Sequence, residues 1–372
     1  MKVTIERGTL LKALGHVQSV VERRNTIPIL SNVLMRADGG TLALTATDLD
    51  IEVVEQVPAD IERDGAVTAS AVTLFDIVRK LPDGTQVGLE TGGSDGRLTL
   101  TAGRSEFTLA VLPEADFPAI QQGDSGESFA VPASDLRRLI DKTRFAMSQE
   151  ETRYYLNGIY LHASEEAGTK TLRAVATDGH RLARLDAPLP DGADQMPGVI
   201  VPRKAVLELR RLLDDAEDDV KVTVSTSKIR FESGDVVLTS KLIDGTFPDY
   251  ARVIPQGNDK VMKVDNASFA RAVDRVSTVS ADKTRSVKLS IANDTLKLLV
   301  NNPESGTATE EVPVDFPAGD IEIGFNARYL LDISGQVDGE TATFKLADPA
   351  SPTVVQDEED PRALYVLMPL RV

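Results

Sequence analysis

Three stretches of this chain run from a short extended segment into an amphipathic helix: VTIERGTLLKALGHV from Val3, FAVPASDLRRLIDKT from Phe129 and MKVDNASFARAVDRV from Met262. The extended segments end at Ile5, Val131 and Val264, and five positions later come Leu10, Leu136 and Phe269. Ala13/Leu14, Leu139/Ile140 and Ala272/Val273 continue the apolar stripe at the spacing of one helix face. Ser134 and Asn266 have the short polar side chains of N-caps. A second set recurs in the same order: AVTASAVTLFDIVRKL from Ala66, VIVPRKAVLELRRLL from Val199 and IEIGFNARYLLDISG from Ile321. Here Leu74/Phe75, Val206/Leu207 and Leu330/Leu331 match, and Pro202 suits a helix start. The intervening stretches alternate like strands, as in NVLMRADGGTLALTATDLDIEVVEQV with its Asp38-Gly39 turn signal. Each third therefore reads strand, helix, several strands, helix, several strands. Repetition on this scale dictates one supersecondary unit built three times.

The turn-rich QQGDSGES (121–128) and RVIPQGNDK (252–260) mark the joins. The expected fold is α+β, with three repeated domains at 1–124, 125–251 and 252–372, each carrying two helices on antiparallel sheets. Hydrophobic residues make up 41% of the 372, enough to bury a core in each domain. With no cysteine there are no disulfides or thiolate metal sites. The three histidines, His16, His162 and His180, stand too far apart in sequence to suggest a metal centre, so neither metal nor cofactor is expected. No apolar run approaches the ~20 residues that span a bilayer, and MKVTIERGTL lacks a secretory core. A cytoplasmic protein with no membrane partner is the expectation.

A net charge of −17 argues against a simple nucleic-acid binder, yet the charge is unevenly placed. The six helical stretches together carry +9, leaving −26 for the rest. Helices accept Glu as readily as Lys on a solvated face. Its scarcity here points to one surface facing a polyanion and another repelling it. Contacts of that kind reach phosphate and ignore base sequence.

The segment ATDGHRLARLD (176–186) places Asp178, His180 and Arg181 together and invites an enzymatic reading, with His180 as a proton carrier for a phosphorylated substrate. Nothing nearby supplies a nucleophile or second base. The repeat also puts ATDLDIEVVEQ (from Ala46) and VNNPESGTATEEV (from Val300) in the same slot. Asp178-Gly179 therefore reads as a strand-to-strand turn. A further alternative is a monomeric β-rich adaptor that binds proteins and never DNA.

Eight stretches then carry a family resemblance over the whole chain: TIPILSNVL (26–34), RYYLNG (153–158), ATDGHRL (176–182), VPRKAV (201–206), FPDYARVIP (247–255), NNPE (301–304), IGFNARYLLD (323–332) and YVLMPLRV (365–372). In this order they resemble the bacterial β sliding clamps, the DNA polymerase III beta subunits. The resemblance implies a non-catalytic processivity factor: a head-to-tail homodimer closing a six-domain ring, with helices lining a hole that encircles duplex DNA. It implies capture of the replicative polymerase, the clamp loader, other polymerases and repair proteins through short peptides bearing glutamine and bulky apolar residues.

Carried over by motif, the peptide pocket comprises Leu156, Thr177, Gly179, His180, Arg181, Leu182, Pro248, Arg252 and Val253, then Val366, Met368, Pro369, Leu370 and Arg371, with Asn326 and Tyr329 at its rim. The DNA-facing set is Arg24, Arg153, Tyr154, Tyr155, Arg203 and Lys204, and the ring interface sets Phe107 and Leu109 against Val276 and Val279. The chain departs from the family pattern at Glu150 and Glu151, which make a DNA-side loop acidic, and at Val72 and Thr73, where relatives often carry cations.

Overall fold

A computed structural model describes residues 1–22, 26–92, 96–118, 120, 126–280 and 285–371. Among them are six α-helices: α1 (Arg7–Gln18), α2 (Ala71–Lys80), α3 (Ala133–Thr143), α4 (Arg203–Leu212), α5 (Asn266–Ser277) and α6 (Ala327–Ser334). Each begins on the residue after a strand ends, at Glu6, Ser70, Pro132, Pro202, Asp265 and Asn326. The last strand residue commonly serves as the cap. Side chains of Glu6, Ser70, Asp265 and Asn326 accept hydrogen bonds from first-turn amides that lack partners inside the helix. This moves two expected caps. Asp265 caps α5, while Asn266 instead donates to the Ser334 carbonyl at 3.0 Å, and Ser134 lies inside α3.

Packing divides the chain into two compact units. Unit 1 is Met1–Arg137, Pro190–Pro197 and Lys204–Leu242; unit 2 is Arg138–Leu189, Gly198–Arg203 and Ile243–Val372. Unit 1 holds a five-stranded sheet ending in edge strand Ser105–Leu109, and a nine-stranded sheet. Within the latter, Ile51–Pro58 pairs antiparallel with Val236–Lys241, so the sheet runs unbroken from the first repeat into the second. Unit 2 repeats the device. In its eight-stranded sheet Arg181–Pro188 pairs with Ala363–Leu367, and a four-stranded sheet completes it. All these ladders are antiparallel. The predicted Asp38-Gly39 hairpin is present: Asp38 pairs with Thr41 across Gly39 and Gly40, both at positive φ, where glycine carries no steric penalty.

The helix stripes form the cores. Leu10, Ala13, Leu14 and Val17 of α1 are fully buried, as are Phe269, Ala272 and Val273 of α5. The ring of Phe269 meets Phe344 edge-on at 5.1 Å. In the second helices the stripe is narrower than expected. Leu74, Val206 and Leu330 are buried, but Leu207 is 40% exposed, because the next position has turned about 100° away from the sheet.

Candidate functional site

The segment Thr177–Arg181 is a turn between strands Thr169–Thr177 and Arg181–Pro188, tied by its own side chains. Thr177 Oγ1 donates to the Arg181 carbonyl at 2.7 Å and accepts from the Gly179 amide at 3.1 Å. Asp178 Oδ1 accepts from the amides of His180 and Arg181 at 2.9 and 3.1 Å. Gly179 takes the left-handed conformation (φ 87°), and a Cβ there would lie 2.7 Å from Arg153 Nη1. The side chains of this acid–base-looking motif thus hold a backbone shape, and His180 is exposed on it.

The chain terminus is laid across this turn. The Met368 amide donates to the His180 carbonyl at 2.9 Å, and the Leu370 amide to the Gly324 carbonyl at 2.8 Å. Beneath lies an apolar cluster of Leu156, Val175, Leu182, Ile200, Phe247, Ile254 and Val366, each no more than 8% exposed, with Tyr155 and Tyr250 packed against it. Three expected pocket residues, Leu156, Leu182 and Val366, form part of this floor. Val175, Ile200, Phe247 and Ile254 were missed by sequence reading, although Phe247 and Ile254 fall inside the FPDYARVIP motif. Met368 and Val253, two residues from Val366 and one from Ile254 of this cluster, are 40% and 50% exposed. Large apolar side chains left in water beside a dry cluster are what a binding surface needs. Pro248 and Arg371 are exposed, Pro369 and Leu370 half-buried. Arg252 is exposed and paired with Asp249 at 2.8 Å.

Arg181 is 9% exposed, and its charge is turned inward. Nε donates to Asp178 at 3.1 Å, Nη2 to the Phe145 carbonyl at 2.8 Å, and Nη1 bonds Asp332. The guanidinium carbon lies 4.3 Å from the Tyr329 ring centre and 5.1 Å from that of Phe145. His180 stacks on Tyr329 at 6.4 Å and 24°. Burial raises the Tyr329 phenol above its ordinary value, and the Asp178 carboxylate adds to this. Asn326 spends its side-chain oxygen on capping α6, accepting from Arg328 and Tyr329 amides at 2.9 and 3.3 Å.

The expected DNA-facing residues are not equally free. Arg24 lies outside the described residues. Tyr154 is 53% exposed, whereas its edge-on neighbour Tyr155 packs against the apolar cluster, so the pair has two different environments. Arg153 reaches Glu150 at 3.3 Å and the Asp178 carbonyl at 3.4 Å. Arg203 is half-buried at the start of α4. Lys204 departs from expectation. Its ammonium is held by Asp48, by Glu22 at 3.3 Å and by the Val20 carbonyl at 3.0 Å, which neutralises it within unit 1. Other helix cations are likewise matched, Lys12 by Asp215 at 3.0 Å, Lys142 by Asp338 at 2.7 Å and Arg275 by Glu310 at 3.0 Å. The formal +9 therefore overstates the field these helices present.

At the expected interface, Phe107 and Leu109 sit half-buried on the edge strand Ser105–Leu109, which pairs on one side only among the described residues. Val279 is half-buried just beyond α5. Val276 is not available: at 2% exposure it belongs to the core face of α5, three residues past Val273. Among the described residues no group of three or more metal-ligating side chains converges, and no helix is long and apolar enough to cross a membrane.

Comparison with known proteins covers the chain in three parts. Residues 1–121, 130–249 and 251–371 match models of the N-terminal, central and C-terminal domains of the DNA polymerase III beta subunit. A beta sliding clamp of Caulobacter vibrioides is 58% identical over 372 residues, all of both chains. A crystal structure of the C. crescentus beta sliding clamp superposes with a TM-score of 0.98 at 58% identity, covering 100% of this chain and 99% of that one. A sliding clamp from Bartonella birtlesii bound to griselimycin superposes at 0.97 with 51% identity, covering 100% of both chains.

Proposed function

The chain belongs to the DNA polymerase III beta subunit family, and from that premise we propose that it is a replication processivity factor, a sliding clamp that encircles duplex DNA and tethers the polymerase. It is non-catalytic, acts in the cytoplasm, and consists of three domains at 1–124, 125–251 and 252–372, paired with a second copy into a ring. Partners dock short peptides on the surface made by the Thr177–Arg181 turn, Val253 and the terminal residues from Val366 to Arg371. The observation that carries this reading is the terminal strand hydrogen-bonded to the turn above a seven-residue apolar cluster. Leucine and phenylalanine side chains fit such a floor, while the exposed backbone and polar rim orient a glutamine.

DNA is held by topology, with weak phosphate contacts. Matching of so many helix cations by carboxylates supports this, since a weakly attractive lining exchanges phosphates without trapping them. Exposed Tyr154 and Arg153 are the side chains best placed to touch DNA, with Arg203 beside them in sequence-independent contact; Lys204 instead fastens α4. The ring contact uses the free edge at Phe107 and Leu109 against the end of α5 near Val279.

The test is retention. Clamp loaded on a circular duplex should stay bound through gel filtration at moderate salt and be released when one restriction cut linearises the circle. Equal loss from circle and linear DNA would refute encirclement.

A further inference from the structure

Three segments meet at the Arg181 guanidinium: the turn itself, the short helical turn Arg144–Ala146 and α6. Its three nitrogens donate to Asp178, the Phe145 carbonyl and Asp332, and its carbon lies over the Phe145 and Tyr329 rings. Phe145 also packs on Tyr365, at 5.9 Å and 54°, in the strand that leads to Met368. Tyr365 is fully buried, so Phe145 is gripped from that side. A planar cation paired and stacked in this way has little capacity left for a ligand's negative charge.

We propose that Asp332 and Phe145 are positioning residues of the peptide surface: through Arg181 they hold the His180–Tyr329 wall and the Met368 strand in one fixed arrangement, and Arg181 makes no charge contact with the partner. This rests on the peptide-docking reading above and specifies how that site is built. Asp332 holds the guanidinium from α6, four residues after Arg328, whose Nε lies 4.0 Å from the same carboxylate. Loss of the Asp332 charge leaves Arg181 held at the turn by Asp178 but untied from α6. The Tyr329 ring, one turn earlier on α6, then loses the plane it stacks on. Preorganisation of this kind lowers the ordering a bound peptide must supply.

The experiment uses the full chain and a fluorescein-labelled synthetic peptide carrying one glutamine followed by leucine and phenylalanine. The peptide is made with a free C-terminal carboxylate and as its amide, and binding is read by fluorescence anisotropy at two salt concentrations. Asp332→Asn should weaken both forms about tenfold, the equivalent of one charge-assisted hydrogen bond. The loss should be equal for the two forms and independent of salt. Arg181→Lys should behave alike, and Asp332→Glu should recover most of the affinity. Unchanged binding in Asp332→Asn would overturn the proposal. So would a gain confined to the carboxylate form, since an Arg181 relieved of its counter-charge would then be a direct charge contact. Failure of the unsubstituted protein to bind either form would overturn the docking reading itself.

Discussion

The turn at Thr47–Ile51 in unit 1 and the turn at Thr177–Arg181 in unit 2 share a backbone and differ in nearly everything laid upon it. Thr47 Oγ1 donates to the Ile51 carbonyl at 2.8 Å and accepts from the Leu49 amide, as Thr177 does at its own turn. Asp48 Oδ1 accepts from Asp50 and Ile51 amides, as Asp178 does from His180 and Arg181. A following strand crosses both: Lys241 donates to the Asp50 carbonyl at 2.8 Å where Met368 donates to that of His180. The third copy keeps a vestige, with Asn302 Oδ1 accepting from Glu304 and Ser305 amides.

Sheet register then aligns the floors. Leu182 pairs with Val366 where Glu52 pairs with Thr239, and Val175 and Ile200 correspond to Thr45 and Thr68. One copy is an apolar floor with methionine above it. The other holds threonines, a buried glutamate and an exposed lysine paired with Asp50. Glu52 is 7% exposed and accepts from the Ile120 amide at 3.2 Å; burial pushes its carboxyl up, with that amide and Arg230 opposing. The turn is scaffolding, and capture of an apolar peptide depends on the floor.

Six substitutions probe this difference. Leu182→Glu gives the second copy the carboxylate of the first without its Ile120 donor. It should lower the unfolding free energy by about 3–5 kcal/mol in denaturant titration, as buried unpaired charges do, and abolish peptide capture. Retention of both would mean the floors are interchangeable. Met368→Ala should weaken peptide binding by about 1–3 kcal/mol in calorimetry, the range for an apolar anchor, while Lys241→Ala should leave it unchanged.

Gly179→Leu copies the first turn, where Leu49 occupies φ 82°. It should cost about 1–2 kcal/mol for a side chain in the left-handed region, with added strain because its Cβ meets Arg153. Leu49→Gly should be close to neutral, and a penalty at Leu49 equal to that at Gly179 would contradict this ordering. A small, pH-dependent gain is expected for Glu52→Gln. A carboxyl raised in the folded state binds its proton more tightly there than in the unfolded chain. Ionised Glu52 therefore destabilises the fold above that raised value, and the penalty fades as pH falls toward the ordinary glutamate range. Glu52→Gln should raise the melting midpoint at pH 8 and lose this advantage near pH 4, as calorimetry across that range would show.

Much of this was legible in the sequence where the governing interactions are local. The strand-to-helix junctions, the Asp38-Gly39 hairpin and the turn reading of Asp178-Gly179 involve groups within four residues of one another. The apolar period also identified the cores of α1 and α5. Cap positions slipped by one residue at α5 because Asp265 and Asn266 are both competent caps, and the choice fell to Asn266 finding Ser334 and Val337 carbonyls far along the chain. Val276 was placed on an outer face although its spacing from Phe269 and Val273 already belonged to the buried stripe. Val175 and Ile200 escaped notice because a buried strand residue carries no mark of the cluster it joins.

The sequence by itself determined the threefold plan and the shape of its turns, since a hydrogen bond from a side chain to a nearby amide depends on residues a few positions apart. The tertiary structure alone decided which copy has an apolar floor and which cations are matched by carboxylates. Lys204 finds Asp48 across 156 positions and Arg181 finds Asp332 across 151. Burial and ion pairing follow distances in space, which the chain sets when its sheets join.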